Sequence, residues 1–321
     1  MKDNKDYFLR NINFHSGFGV DLPMINYAPR NIFYKNCLAG VEGKTVLDVG
    51  SGTGILSVMA VDSGAKQVYA FEIDKKNYEL SKHLVEEAGL SDKIKIFHND
   101  FLECDGALMN SEPIDVFMSE TFSNDLFIQN FSYISDHVYK KFNLSDQFIS
   151  IPQSIELNVS IVEGKYEEGE FRPGVEINEK YRNAVNRAIQ NYRDSYIPIG
   201  QKGYATEVNT DQDINLHGSR IIQDPVIYTT PVNVGTFDVN GNLQSQINAF
   251  EKIIELSTVN YIEPKLKIDW LLEFMGNKFP LTPTTSSVWN MCCYTFDKNK
   301  KWKFKVRFNS WKNNLVISQI D

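Results

Sequence analysis

The chain has 321 residues, 42% of them apolar and 23% charged, with a formal net charge of -8. That length leaves room for two domains with sizeable cores, and the composition is that of an ordinary globular protein. The acid excess argues against a nucleic-acid partner, which would favour a basic face, and with no 18-residue apolar run no membrane span is expected.

Cys37, Cys104, Cys292 and Cys293 form no C-x-x-C pair, and the five histidines have no H-x-x-x-H spacing. No metal site is expected, and the cysteines read as buried free thiols in a reducing compartment. The start, Met1-Lys-Asp-Asn-Lys-Asp, lacks the apolar run of a leader peptide. A soluble, cytoplasmic protein is expected.

In chain order, residues 1–10 are polar, and Asn11 to Val20 mixes aromatics with glycine. Met24 to Cys37 has a helical pattern with Pro29 near its start. Val46, Leu47 and Val49 form a short apolar strand, Gly50, Gly52 and Gly54 follow, and Ile55 to Val61 reads as a helix. A second strand, Lys66 to Phe71, ends at Glu72, and an amphipathic helix spans Asn77 to Ala88. Strands at Ile94–Phe97 and Ile114–Met118 end at Asp100 and at Ser119-Glu120. A helix from Leu126 to Lys141 and a strand from Gln147 to Ile151 complete the series. Strands alternating with helices imply a parallel, doubly wound α/β sheet over residues 44–151.

The pattern changes at Pro152. Ile155, Leu157, Val159 and Ile161 alternate with polar residues. Strand-like runs follow at Pro225–Tyr228, Asn233–Phe237, Glu255–Ile262, Ile268–Phe274, Trp289–Phe296, Trp302–Phe308 and Leu315–Ser318. Many strands without intervening helices imply an antiparallel sandwich or barrel. A charged, helix-like stretch at Val175–Tyr196 interrupts them as an insertion. The division expected is 1–151 and 152–321.

The glycine turn carries the first functional signal. Strand, glycine turn and helix open a nucleotide-binding unit, and glycine permits a tight turn with close ligand approach. A dinucleotide fingerprint, G-x-G-x-x-G, would need glycine at position 55, which is Ile55. The spacing G-x-G-x-G, with Asp48 ahead of it, resembles the S-adenosylmethionine loop of class I methyltransferases. Glu72, at the end of the second strand, is placed to hold both ribose hydroxyls. Asp48 either contacts the cofactor or only braces the loop, and Asp100, after the third strand, stands where class I methyltransferases hold the adenine amino group. Ile55, Leu56 and Phe101 are expected to contact the cofactor as well.

Such a sheet followed by an antiparallel β-barrel resembles the protein arginine methyltransferases. Phe18-Gly19, Met24 and Arg30 are similar to that family's N-terminal segment, a helical lid over the cofactor. The resemblance implies that Arg30 holds the cofactor's carboxylate and that Met24 touches the cofactor. It also implies that Glu120 opens a double-glutamate hairpin and touches the cofactor as well, and that Trp289 borders the substrate; His15, a further candidate at the substrate, stands where the family has a tyrosine. The insertion, about residues 165–200, would be a dimerisation arm in a homodimer.

Two departures stand out. The second hairpin glutamate is Gln129, and the family's Thr-His-Trp loop reads Ser287-Val288-Trp289. Gln129 accepts a hydrogen bond but brings no full charge. The acceptor is then an arginine gripped partly by Asp125, or a smaller or less basic nitrogen. Three readings follow: an N-methyltransferase acting on protein arginine, one acting on a small molecule, and a non-catalytic cofactor-binding scaffold. The cofactor in each is S-adenosyl-L-methionine, and in the two catalytic readings S-adenosyl-L-homocysteine is the product.

Overall fold

The computed structural model describes residues 28–109, 112–122, 130–163, 226–227, 230–257, 265–281, 292–295, 301–308 and 315–320. Helix α1 (Ala28–Cys37) leads into strand β1 (Thr45–Val49), every residue of which is buried. Helix α2 (Ile55–Asp62) follows, then β2 (Gln67–Glu72), α3 (Lys75–Glu87) and β3 (Ile94–His98). Next come β4 (Ile114–Ser119), α4 (Phe131–Lys141) and β5 (Leu144–Ile151). These strands form a five-stranded sheet, order β3-β2-β1-β4-β5, with every pairing parallel. The chain winds one way from β1 to β3 and then returns to the other side of β1. That reversal opens a crevice beyond the carboxyl ends of β1 and β4, where open α/β sheets bind ligands.

After Ile151 every described strand pairing is antiparallel. Strand β6 (Ser154–Glu163) is central and pairs along its length with β10 (Lys265–Phe274). Ile155 faces Leu272, Leu157 faces Trp270, Val159 faces Ile268 and Ile161 faces Leu266, and all eight are buried. This is the period-two pattern of the sequence closing on a core. Short strands β7 (Val226–Ile227), β8 (Val232–Asp238), β11 (Asn277–Pro280) and β12 (Cys292–Thr295) complete this sheet. Strands β9 (Glu251–Glu255), β13 (Lys303–Phe308) and β14 (Leu315–Ile320) form another. Phe308, from the smaller sheet, packs on both Trp270 and Phe237 of the larger.

Four details differ from expectation. Among the described residues α4 begins at Phe131, because Asn130 has a left-handed backbone (φ 64°). A helix α5 (Leu243–Ala249) lies where no element was expected, and the strand expected at Glu255–Ile262 shares only Glu255 with β9, residues 258–262 lying outside the described residues. The Met275-Gly276 turn, both residues with positive φ, folds β10 back onto an unexpected partner, β11.

The two sheet systems are tied together. Asp136 of α4 accepts the Leu243 backbone N–H at the start of α5 (2.8 Å). The Ser132 hydroxyl donates to Gln244 (2.6 Å), and the Tyr139 hydroxyl to the Val239 carbonyl (2.8 Å). Phe33 of α1 stacks on Phe279 of β11, with ring centroids 5.3 Å apart. Helix α1 is therefore held between the crevice and the antiparallel sheet.

Candidate active site

The glycine turn after β1 is built from left-handed residues: φ is 73° at Gly50, 55° at Gly52 and 81° at Gly54. Side chains rarely adopt that conformation, which is why this loop needs glycine. The Gly50 and Ser51 N–H groups donate to the Phe71 carbonyl, fixing the turn to β2. Ile55 and Leu56 start α2, and their side chains are core, so toward a ligand they offer backbone only.

Glu72 closes the turn from beside it. Its Oε2 accepts the Gly52 N–H and its Oε1 the Asp74 N–H, both at 2.7 Å. Burial raises its pKa to about 6 against these hydrogen bonds, which pull it down. Asp48 lies deeper. Its Oδ2 accepts the Ser57 hydroxyl at 2.6 Å, while its Oδ1 is buried with no hydrogen-bond partner among the described residues. Burial raises this acid to about 7, with Ser57 and Arg30 opposing the change. A buried carboxylate oxygen with nothing to accept is costly unless a donor arrives.

Across the crevice, Glu120 follows β4 directly. Arg30 Nε lies 2.7 Å and 2.6 Å from its two oxygens, and Arg30 Nη2 also donates to Oε2. Both side chains are almost fully shielded, at 6% and 5% exposure. Burial opposes the Arg30 charge, but Glu120 outweighs it and the guanidinium is held above its ordinary value. Tyr34, one helical turn after Arg30, places its ring under the guanidinium (5.7 Å to the centroid) and its hydroxyl 3.3 Å from the Ser119 carbonyl.

At the third strand tip, Asp100 Oδ1 caps the turn Phe101–Glu103 by accepting the Leu102 N–H at 3.1 Å. The Phe101 ring packs against Phe71 and Phe142, so it belongs to the core and leaves its backbone at the cleft. His98 stacks on Tyr78, and its Nε2 lies 3.2 Å from the Ile73 carbonyl, a structural role.

The structure thus brings Arg30, Asp48, Gly50, Gly52, Gly54, Glu72, Asp100 and Glu120 to one end of one sheet. His15, Met24, Asp125, Gln129 and Trp289, with the arm at 165–200, lie outside the described residues. Sequence reading missed Ser57, Tyr34 and Thr121. Only Tyr34 had a signal, its four-residue helical spacing from Arg30. Ser57 and Thr121 acquire partners only through the fold.

Comparison with known proteins bears on this site. Residues 37–127 match the family model "Ribosomal protein L11 methyltransferase (PrmA)". The chain is 34% identical over 100 residues to protein arginine N-methyltransferase 6 of Xenopus laevis, a match covering 30% of this chain and 28% of that one. It is 28% identical over 166 residues to protein arginine N-methyltransferase 1 of Oryza sativa, covering 50% of this chain and 41% of that one. These alignments span less than half of each relative.

Among solved structures, the Trypanosoma brucei PRMT1 enzyme–prozyme heterotetrameric complex with AdoHcy superposes with a TM-score of 0.64 at 16% identity. It covers 94% of this chain and 92% of that chain. A PRMT6–SAH structure gives 0.62 at 14%, covering 94% and 99%. The fold is that of a class I methyltransferase, a Rossmann-like α/β sheet followed by antiparallel sheets. Solved protein arginine methyltransferases share this fold with the chain.

Proposed function

We propose that this chain is an S-adenosylmethionine-dependent N-methyltransferase acting on the guanidino group of arginine or on another nitrogen acceptor. One observation carries the reading: the left-handed Gly50–Gly54 turn, the acids Asp48 and Glu72, and the Arg30–Glu120 pair all meet at the β1/β4 switch point. Asp48 Oδ1, buried and lacking a donor, fits a ligand that brings N–H groups, as an amino acid moiety does.

In this reading Glu72 accepts the ribose hydroxyls, Asp100 and the Phe101 backbone face the adenine, and the glycine turn admits the amino acid portion. Met24 and the backbone at Ile55 and Leu56 border the same ligand. Arg30 pairs with the ligand's carboxylate, a charge-assisted and bidentate match. When bound, the sulfonium supplies an electrophilic methyl group.

The chain's own residues then orient and desolvate the acceptor nitrogen, and alignment alone is worth about 7–11 kcal/mol in such reactions. Glu120 accepts hydrogen bonds from the acceptor's N–H groups and favours its attacking lone pair. Gln129 replaces a second charge with an amide oxygen, and Asp125 adds an acid to the same loop. His15 and Trp289 border the acceptor.

Residues 1–151 form the cofactor domain in this reading and 152–321 the substrate domain, a β-barrel, with the arm at 165–200 closing a homodimer. A cytoplasmic location goes with it; no described helix is long and apolar enough to cross a membrane. The test is transfer of tritiated methyl groups into a cell lysate, separated into macromolecular and small-molecule fractions. Label in protein supports the arginine version, and label in small molecules supports the metabolite version.

A second reading has its own observation. Gln129 and Val288 stand where the family resemblance implies glutamate and histidine, and one structural neighbour is an enzyme–prozyme complex. A non-catalytic cofactor-binding partner would bind S-adenosylhomocysteine yet label neither fraction.

A further inference from the structure

Glu120 is the acceptor-side acid of the proposed reaction, and the residue after it faces the donor loop. An ideal Cβ built on Gly50 would lie 2.4 Å from the Thr121 methyl carbon, Cγ2. The Thr121 hydroxyl lies 3.1 Å from the Ser119 hydroxyl, which donates to the Val49 carbonyl at 2.8 Å. Thr121 therefore touches the last residue of β4 with one arm and the first glycine of the donor loop with the other. Glu120 sits between its two anchored neighbours, with the Ser119 carbonyl held from the far side by Tyr34.

We propose that Thr121 is a positioning residue that couples the glycine loop to Glu120, so that the donor and acceptor halves of the site hold one fixed spacing. The inference rests on the methyltransferase reading and deepens it.

Its two arms have separable chemistry. The hydroxyl fixes Glu120 through Ser119 and the Val49 carbonyl. The methyl group fills the space that glycine leaves at position 50, and so sets how closely the loop approaches β4. Thr121 is only half-buried, and valine and serine each preserve most of its volume, so both variants keep the fold.

The test is a binding cycle. S-adenosylhomocysteine is titrated calorimetrically into the wild type, Glu120→Gln, Thr121→Val, Thr121→Ser, and each Thr121 variant combined with Glu120→Gln. Removing the Glu120 charge releases Arg30 to the ligand carboxylate and tightens binding by about tenfold, the effect of some 1.4 kcal/mol. With valine at 121, which keeps the methyl but loses the hydroxyl, Glu120 loses its anchor through Ser119, and the same change tightens binding only about twofold. With serine, which keeps the hydroxyl but loses the methyl contact with Gly50, the loop spacing slackens and the effect falls to about twofold as well. Thermal unfolding of all variants accompanies the titrations.

An equal Glu120→Gln effect in all three backgrounds overturns the coupling, and a full tenfold effect in either the valine or the serine background overturns the role given to the arm that variant removes. Failure of the wild type to bind S-adenosylhomocysteine overturns the methyltransferase reading itself, and the coupling with it.

Discussion

The Arg30 guanidinium and the Glu120 carboxylate, 90 residues apart in sequence, neutralise each other inside the crevice, with Nε 2.7 Å and 2.6 Å from the two oxygens. The cation proposed for the donor and the anion proposed for the acceptor therefore share one ion pair. In the proposed reading a ligand carboxylate arriving at Arg30 would compete with Glu120 and free it for an acceptor.

Arg30→Ala leaves Glu120 buried without its cation. Breaking such a pair costs about 3–5 kcal/mol. Urea unfolding should show a loss of that order, and calorimetry a matching loss of S-adenosylhomocysteine affinity. Arg30→Lys should restore charge but not the forked geometry, and recover only part of both. Full affinity in Arg30→Ala would remove Arg30 from the donor site.

The two acids under the glycine turn predict a pH signature. Burial raises Asp48 to about 7 and Glu72 to about 6, both above their ordinary values. The folded state therefore holds protons that the unfolded state releases. Stability from these groups is fully present below the ordinary carboxylate range and is lost as pH rises through 6 to 7. A tenfold change in proton affinity corresponds to about 1.4 kcal/mol. Asp48→Asn should flatten the stability profile between about pH 4 and 7. Binding runs the opposite way, since only ionised Asp48 and Glu72 accept fully from ligand N–H and O–H groups. S-adenosylhomocysteine should bind more tightly at pH 8 than at pH 5.5, and a pH-independent affinity would contradict these roles.

Gly50→Ala meets two obstacles, a positive φ of 73° and the Thr121 methyl carbon at 2.4 Å. The backbone conformation alone costs about 1–2 kcal/mol for a non-glycine residue. Thermal unfolding should register that loss, and S-adenosylhomocysteine binding should fall further than stability does. Gly43, also at positive φ but with open space around it, serves as the control, since its alanine variant should lose stability without losing binding.

Gln129→Glu adds the second charge that the family resemblance implies. With a peptidyl-arginine acceptor, its KM should fall and its preference for arginine over neutral amines should rise. Unchanged preference would mean that Gln129 does not face the acceptor.

The strand-end residues of the candidate site were legible because they follow the chain. Asp48, the glycines and Glu72 lie at the ends of consecutive parallel strands, so each strand that could be read placed one site residue. The Arg30–Glu120 pair was less legible. Family resemblance named both residues, but only the fold shows them bound to each other. Ser57 and Thr121 carry ordinary hydroxyls in ordinary places, and tertiary pairing alone gives them partners. In the second half, Leu243–Ala249 had no helical stripe long enough to announce itself. Its start is capped by Asp136, from another sheet system, which no local pattern encodes.

The most direct measurement is calorimetric titration of the purified chain with S-adenosylhomocysteine, alongside Glu72→Ala. Stoichiometric binding in the micromolar range, weakened about tenfold or more by the loss of the ribose acid, is the result expected from this site. No detectable heat at millimolar ligand, or equal binding by Glu72→Ala, would contradict a donor seated on the tips of β1 and β2.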